Sequence, residues 1–168
     1  EIAQQFLLCY NKYMKMMKER VSMLDEKLVE LLNDQVNKEF YSAYLYLSMA
    51  NYYNEEGLSG FGNWFTIQAQ EERDHAMLFL EYLQNNGAHV ELKTVEAPKK
   101  KFKEFKDPLD ESLKHERYVT ASIHNIYAAA SKVKDFRTMQ FLDWFVKEQG
   151  EEEKTAEDLI KKLELFGQ

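Results

Sequence analysis

Six side chains able to hold a cation recur in this chain with a single offset. Glu39, Glu72 and His75 are matched 77 residues later by Glu116, Gln149 and Glu152. The step from Glu39 to Glu72 is 33 residues, and so is the step from Glu116 to Gln149. Four carboxylates, one imidazole and one amide form an oxygen-rich set. Such a set suits iron or manganese, whereas structural zinc favours thiolates and imidazoles. Carboxylates bind both Fe(II) and Fe(III), so the chemistry this set points to is redox at a pair of ions.

The elements that must carry these residues are helices. Residues 24–54 place Leu24, Leu28, Leu31, Leu32, Val36, Ala43, Leu47 and Ala50 at helical spacing. Asn54-Glu55-Glu56-Gly57 closes this helix, with Gly57 as a left-handed cap. A second helix is predicted from Ser59 as N-cap to Asn85 or Asn86, stopped by Gly87. The tight turn between them makes the pair antiparallel. Residues 88–106 alternate at Val90, Leu92 and Val95 and then pass through Pro98 and Lys99-Lys100-Lys101. That stretch is long enough to travel the length of a bundle. Asp107 as N-cap and Pro108 at the first helical position open a third helix, running to about Val133. A fourth follows Lys134-Asp135, from about Phe136 to Leu165. The expected fold is all-α, a four-helix bundle with one long crossover between the second and third helices and no clear fifth helix. Residues 23–168 form this domain, and residues 1–22 are an extension outside the repeat, with an amphipathic turn or two around Phe6, Leu7 and Tyr10.

Direction is the telling property. At about 100° per residue, Leu28 and Leu32 point within roughly 40° of Glu39. By the same rule Phe61 and Phe65 align with Glu72, Trp64 with His75, and Leu109 with Glu116. Leu142 aligns with Gln149, and Phe141 and Phe145 with Glu152. Each helix therefore aims a ligand-type group at the shared core, and no Lys or Arg lies on those stripes. Unpaired buried carboxylates cost several kcal/mol each unless they are protonated or bind a cation. Glu-x-x-His alone is a weak signal in a chain with 21 Glu. Agreement of four helices in direction and spacing is a strong one. His89 falls in the connection, and His115 and His124 read as surface or ordinary polar contacts.

Composition narrows the classes. A net charge of -7 argues against a nucleic-acid surface, and no apolar run reaches membrane-spanning length. Cys9, the one cysteine, cannot form an internal disulfide, so a reducing cytoplasm is expected. Two competitors to iron oxidation with dioxygen are a di-iron protein that consumes peroxide and a metal-free helical scaffold.

The blocks Asn37-Lys38-Glu39-Phe40-Tyr41-Ser42-Ala43-Tyr44-Leu45-Tyr46, Gln70-Glu71-Glu72-Arg73-Asp74-His75, Lys114-His115-Glu116 and Glu148-Gln149-Gly150-Glu151-Glu152-Glu153 resemble the non-haem bacterial ferritins. The resemblance spans about residues 24–166. It implies a ferroxidase in a homo-oligomeric cage of twenty-four chains that stores ferric oxyhydroxide, with dioxygen or peroxide as oxidant. It further implies that Glu39, Glu72 and His75 bind the first iron. Glu72 would bridge to a second iron held by Glu116, with Gln149 nearby. Glu71, Glu148, Glu151 and Glu152 resemble the carboxylates of a third iron site, and Tyr46 matches a tyrosine proposed to donate an electron. Haem-binding relatives carry a methionine where Arg73 stands, so no haem is expected.

Overall fold

The computed structural model describes residues 5–7, 10, 22–98 and 101–166. Four long helices follow one another: α1 (Glu26–Glu55), α2 (Ser59–Asn85), α3 (Asp107–Val133) and α4 (Phe136–Phe166). α1 packs on α2, α3 on α4, and α1 on α3. No helix among the described residues is long and apolar enough to cross a membrane.

The turns follow local chemistry. Gly57 and Gly87 adopt positive φ, 76° and 71°, where a side chain would be strained. Lys134, also left-handed at φ 59°, closes α3. Asp135 then caps α4, its carboxylate accepting from the Thr138 N–H at 3.1 Å and from the Thr138 hydroxyl at 2.7 Å.

Two predicted caps are corrected. α2 starts at Ser59 itself, because the Leu58 carbonyl already accepts the Gly62 N–H at 3.0 Å. α3 is capped by Lys106, whose carbonyl accepts the Asp110 N–H. The Asp107 carboxylate instead faces backward and accepts the N–H groups of Lys103 and Glu104. Leu47 is also moved off the core: it is 50% exposed. Eight residues beyond Glu39, it points about 80° away from that side chain.

The crossover lies along α1. Asn33 donates to the His89 carbonyl and accepts from the Glu91 N–H, Asn37 donates to the Thr94 carbonyl, and Lys93 pairs with Asp34 at 2.6 Å. Helical residues also occur at 5–7 and at Tyr10, ahead of the bundle, so helix is not confined to the four. The rest of the expected extension, residues 1–4, 8, 9 and 11–21, lies outside the described residues, as does any helix beyond Phe166.

The core has two lobes. One gathers Leu28, Leu32 and Val36 of α1, Phe79 and Leu83 of α2, Val119 and Ile123 of α3, and Leu142 and Phe145 of α4. The other gathers Leu45, Tyr46 and Met49 of α1, Phe65 and Ala69 of α2, and Leu109 of α3, with Leu159 and Leu163 of α4 against it. On every helix the residues between the lobes are the predicted ligands. A polar layer thus crosses an otherwise apolar interior.

Candidate metal centre

Each helix delivers its part of the layer because the apolar stripe that anchors it continues through the ligand positions. Glu39 is 1% exposed and Glu72 2%. Glu116, Gln149, Glu152 and His75 are buried too, and no buried Lys or Arg occurs among the described residues. Three groups form. Glu39, Glu72 and His75 bring ligand atoms within 4.8 Å of one another, as do Glu72, Glu116 and Glu152, and as do His75, Glu148 and Glu152. Oxygen and nitrogen ligands sit about 2 Å from an ion, so each group needs only a slight contraction to hold one. Glu72 belongs to the first two groups and lies between them.

The polar contacts are specific. His75 Nδ1 lies 3.6 Å from Glu72 Oε2. Gln149 Nε2 donates to Glu116 Oε2 at 3.0 Å, and the Tyr46 hydroxyl donates to Glu116 Oε1. Gln149 therefore serves Glu116 through its nitrogen. Gln68 Nε2 donates to Glu152 Oε2 at 3.0 Å, and Gln35 Nε2 to Glu39 Oε1 at 2.8 Å. Glu39 Oε2 is buried with no hydrogen-bond partner.

Electrostatics follow from burial. Desolvation, outweighing the Gln35 hydrogen bond, lifts the Glu39 carboxyl from 4.5 to about 7. Desolvation, with Glu116 and other carboxylates beside it, lifts Glu152 to about 8. Glu72 is pushed well above its ordinary value by burial and then by Glu116 and Glu39. Glu116 rises mainly through burial, despite its bonds from Tyr46 and Gln149. Burial lowers His75 to about 4, leaving a neutral imidazole with a lone pair at neutral pH. The layer holds protons where a cation would hold the same oxygens better.

The remaining predicted residues separate. Glu148 is partly buried beside His75 and Glu152, and its carboxyl is raised by burial and by Glu151 and Glu71. Glu71 is exposed. Glu151 is exposed and pairs with Lys147 at 3.1 Å, outside the three groups. Tyr46 is fully buried and stacks on Phe65, and burial and Glu116 push its hydroxyl well above the usual phenol range.

Sequence reasoning missed the amides. Gln35 stands four residues before Glu39 and Gln68 four before Glu72. An i, i+4 pair shares a helix face, so a buried glutamine one turn from a buried glutamate was the available signal. His115, expected at the surface or in an ordinary polar contact, is the latter and is buried: its Nε2 lies 2.7 Å from Ser42 Oγ.

Known proteins resemble this chain in sequence and fold. The ferritin-like domain matches residues 29–166. The bacterial non-heme ferritin of Campylobacter jejuni is 40% identical over 146 residues, covering 87% of each chain. That of Staphylococcus haemolyticus is 40% identical over 145 residues, covering 86% of this chain and 87% of its own. An open pore ferritin from the archaeon Archaeoglobus fulgidus superposes with a TM-score of 0.85 at 44% identity, over 88% of this chain and 90% of that one. A Chlorobium tepidum ferritin gives 0.84 at 32% identity, over 87% and 89%. With the bundle, the crossover and most of both lengths held in common, this chain belongs to the ferritin-like family.

Proposed function

We propose that this protein is a non-haem ferritin: a ferroxidase that binds two Fe(II) ions in the polar layer, oxidises them and deposits ferric oxyhydroxide inside a protein cage. One observation carries the reading. Four buried carboxylates and a neutral imidazole converge between two apolar lobes with no buried cation among the described residues.

Iron is the substrate here. Glu39, Glu72 and His75 hold one ion, and Glu72, Glu116 and Gln149 hold the other, with Glu152 at the edge of the pair. Each Fe(II) gives up one electron. Dioxygen takes the two electrons together with two protons and leaves as hydrogen peroxide. The protein contributes placement, a water-poor pocket, and carboxylates that release their protons as the ions arrive. Glu148 and Glu152 border a third position, and exposed Glu71 continues that line outward as an exit for oxidised iron. Gln149 binds more weakly than a carboxylate, which suits a centre that releases its product. Assembly into a cage of twenty-four chains in the cytoplasm, with dioxygen rather than peroxide as the main oxidant, completes the proposal. The names of the relatives and the solvent-excluded carboxylate layer support it.

The test is an anaerobic Fe(II) titration of metal-free protein followed by rapid mixing with dioxygen, beside a Glu72→Ala, His75→Ala variant. Saturation near two or three ions per chain, with fast oxidation lost in the variant, is the expected result. Binding well below one ion per chain, or identical slow oxidation in both proteins, overturns it.

A further inference from the structure

Glu39 is held unevenly by the groups around it. Its Oε1 accepts a hydrogen bond from Gln35 Nε2 at 2.8 Å, while no amide or hydroxyl reaches its Oε2 and the Glu72 carboxyl is the other hydrogen-bonding neighbour of the group. The donor is itself held. Gln35 is fully buried, and its Oε1 accepts from the Ser122 hydroxyl of α3 at 2.6 Å. The Ser122 oxygen in turn lies 2.6 Å from Lys38 Nζ, back on α1.

Donor and acceptor accounting gives this chain a direction. A lysine ammonium has three donors and no acceptor, so the Ser122 oxygen must accept from Lys38. The hydroxyl has one proton, and its remaining partner is Gln35 Oε1. That proton goes to Gln35 Oε1, and the NH2 end of the amide faces Glu39. Turning the amide over would set its carbonyl oxygen against a carboxylate oxygen in a dry layer, where such repulsion is strong.

We propose that Gln35 is a positioning residue for iron binding, oriented by Ser122, and that it biases Glu39 toward binding the ion through Oε2. This rests on the metal-centre reading above and adds to it. The hydrogen bond takes one lone pair of Oε1 and fixes the tilt of the carboxylate, so chelating an ion with both oxygens would strain that bond. The first ion keeps a coordination position open where the second Glu39 oxygen would otherwise sit, and that position is available to dioxygen or to water.

Anaerobic titration with Co(II), a stand-in whose visible absorption reports coordination number, tests the proposal. Wild type is compared with Gln35→Leu, Ser122→Ala, Ser122→Thr and Glu72→Ala. Hydrogen bonds to a metal ligand commonly govern affinity by 10- to 100-fold. Gln35→Leu and Ser122→Ala should therefore weaken the first Co(II) by about 10-fold or more. Both should also lower the intensity of its visible bands, as Glu39 becomes free to chelate. Ser122→Thr keeps the hydroxyl and should match wild type. Affinities and spectra unchanged in both Gln35→Leu and Ser122→Ala overturn the proposal. So does a loss in Gln35→Leu alone, which would show that Ser122 does not set the amide. A loss in Ser122→Ala that Ser122→Thr fails to restore would be a packing effect and also overturns it. Failure of wild type to bind Co(II), or binding untouched by Glu72→Ala, would instead remove the metal-centre reading itself.

Discussion

Replacing Glu39 by glutamine removes one ionisable group from the polar layer and preserves its shape. The oxygen of the introduced amide can still accept from Gln35, and its nitrogen would occupy the place of the unpartnered Oε2. In the wild type, burial raises this carboxyl from 4.5 to about 7. The folded state then holds a proton that the unfolded state has released. Stability from this group is complete below pH 4.5 and is lost as pH rises through 7. At about 1.4 kcal/mol per pH unit, the loss amounts to about 3 kcal/mol at pH 8 and about 1 kcal/mol at pH 5. Urea denaturation of metal-free protein, at fixed chain concentration with a chelator present, measures it. Glu39→Gln should gain on wild type as pH rises, by about 2 kcal/mol between pH 5 and pH 8. A difference that does not change with pH would mean that Glu39 ionises freely in the folded protein. The layer would then not be dry, and the physical case for a cation-seeking site would fail.

Other expectations use the same contacts. Between pH 8 and pH 6, Fe(II) affinity should fall, because an arriving ion must displace protons from Glu39 and Glu152, raised to about 7 and about 8. His75, lowered to about 4, adds nothing in that range. Proton release measured during anaerobic titration at pH 7 checks both points, and an absence of released protons would contradict them. Gln149→Glu exchanges a donor to Glu116 for a fifth carboxylate; iron should bind more tightly and turn over roughly 10-fold more slowly. Multiple-turnover oxidation assays read this, and unchanged turnover would detach Gln149 from product release. Away from the site, Asp135→Ala should cost about 1 kcal/mol in urea denaturation through loss of the α4 cap. Lys134→Gly should gain a comparable amount, since its left-handed φ of 59° suits glycine.

The helices are legible in the sequence because their signals are local and repeated. Apolar spacing, Gly57, Gly87 and the Lys134-Asp135 break each act within a turn or two, and they place the start of α4 at Phe136. The caps at Ser59 and Asp107 mislead because residue type does not reveal which carbonyl makes the first helical bond. Leu58 and Lys106 do so through turns that precede them. Leu47 misleads because a spacing pattern tolerates a residue 80° off the stripe, and only packing decides such a case. The buried carboxylates are legible for the opposite reason: a carboxylate on an apolar stripe contradicts its surroundings, and the contradiction shows in sequence. Gln35 and Gln68 do not show, because a buried glutamine is a milder anomaly whose role depends on a partner.

Those amides expose an asymmetry within the site. Gln35 donates to Glu39, Gln68 to Glu152 and Gln149 to Glu116. Among the described residues Glu72 alone of the four has no amide donor; its neighbours are His75 Nδ1, at 3.6 Å, and the Glu39 carboxyl. A carboxylate bonded to an amide must break that bond to change partners, at about 1 to 3 kcal/mol for a charged acceptor. Glu72 has no amide to break from, only the hydrogen bond it shares with the Glu39 carboxyl. It is also the residue shared by the two ligand groups that flank the pair. Freedom and position therefore coincide in one side chain. Under the proposed function, a carboxylate that shifts between ions as they arrive and leave would be the one no amide clamps. Introducing a donor beside Glu72, as Ala76→Gln would one turn along α2, should slow iron turnover while leaving the ligand count intact. Turnover equal to wild type in a folded, iron-binding Ala76→Gln protein would show that Glu72 need not move.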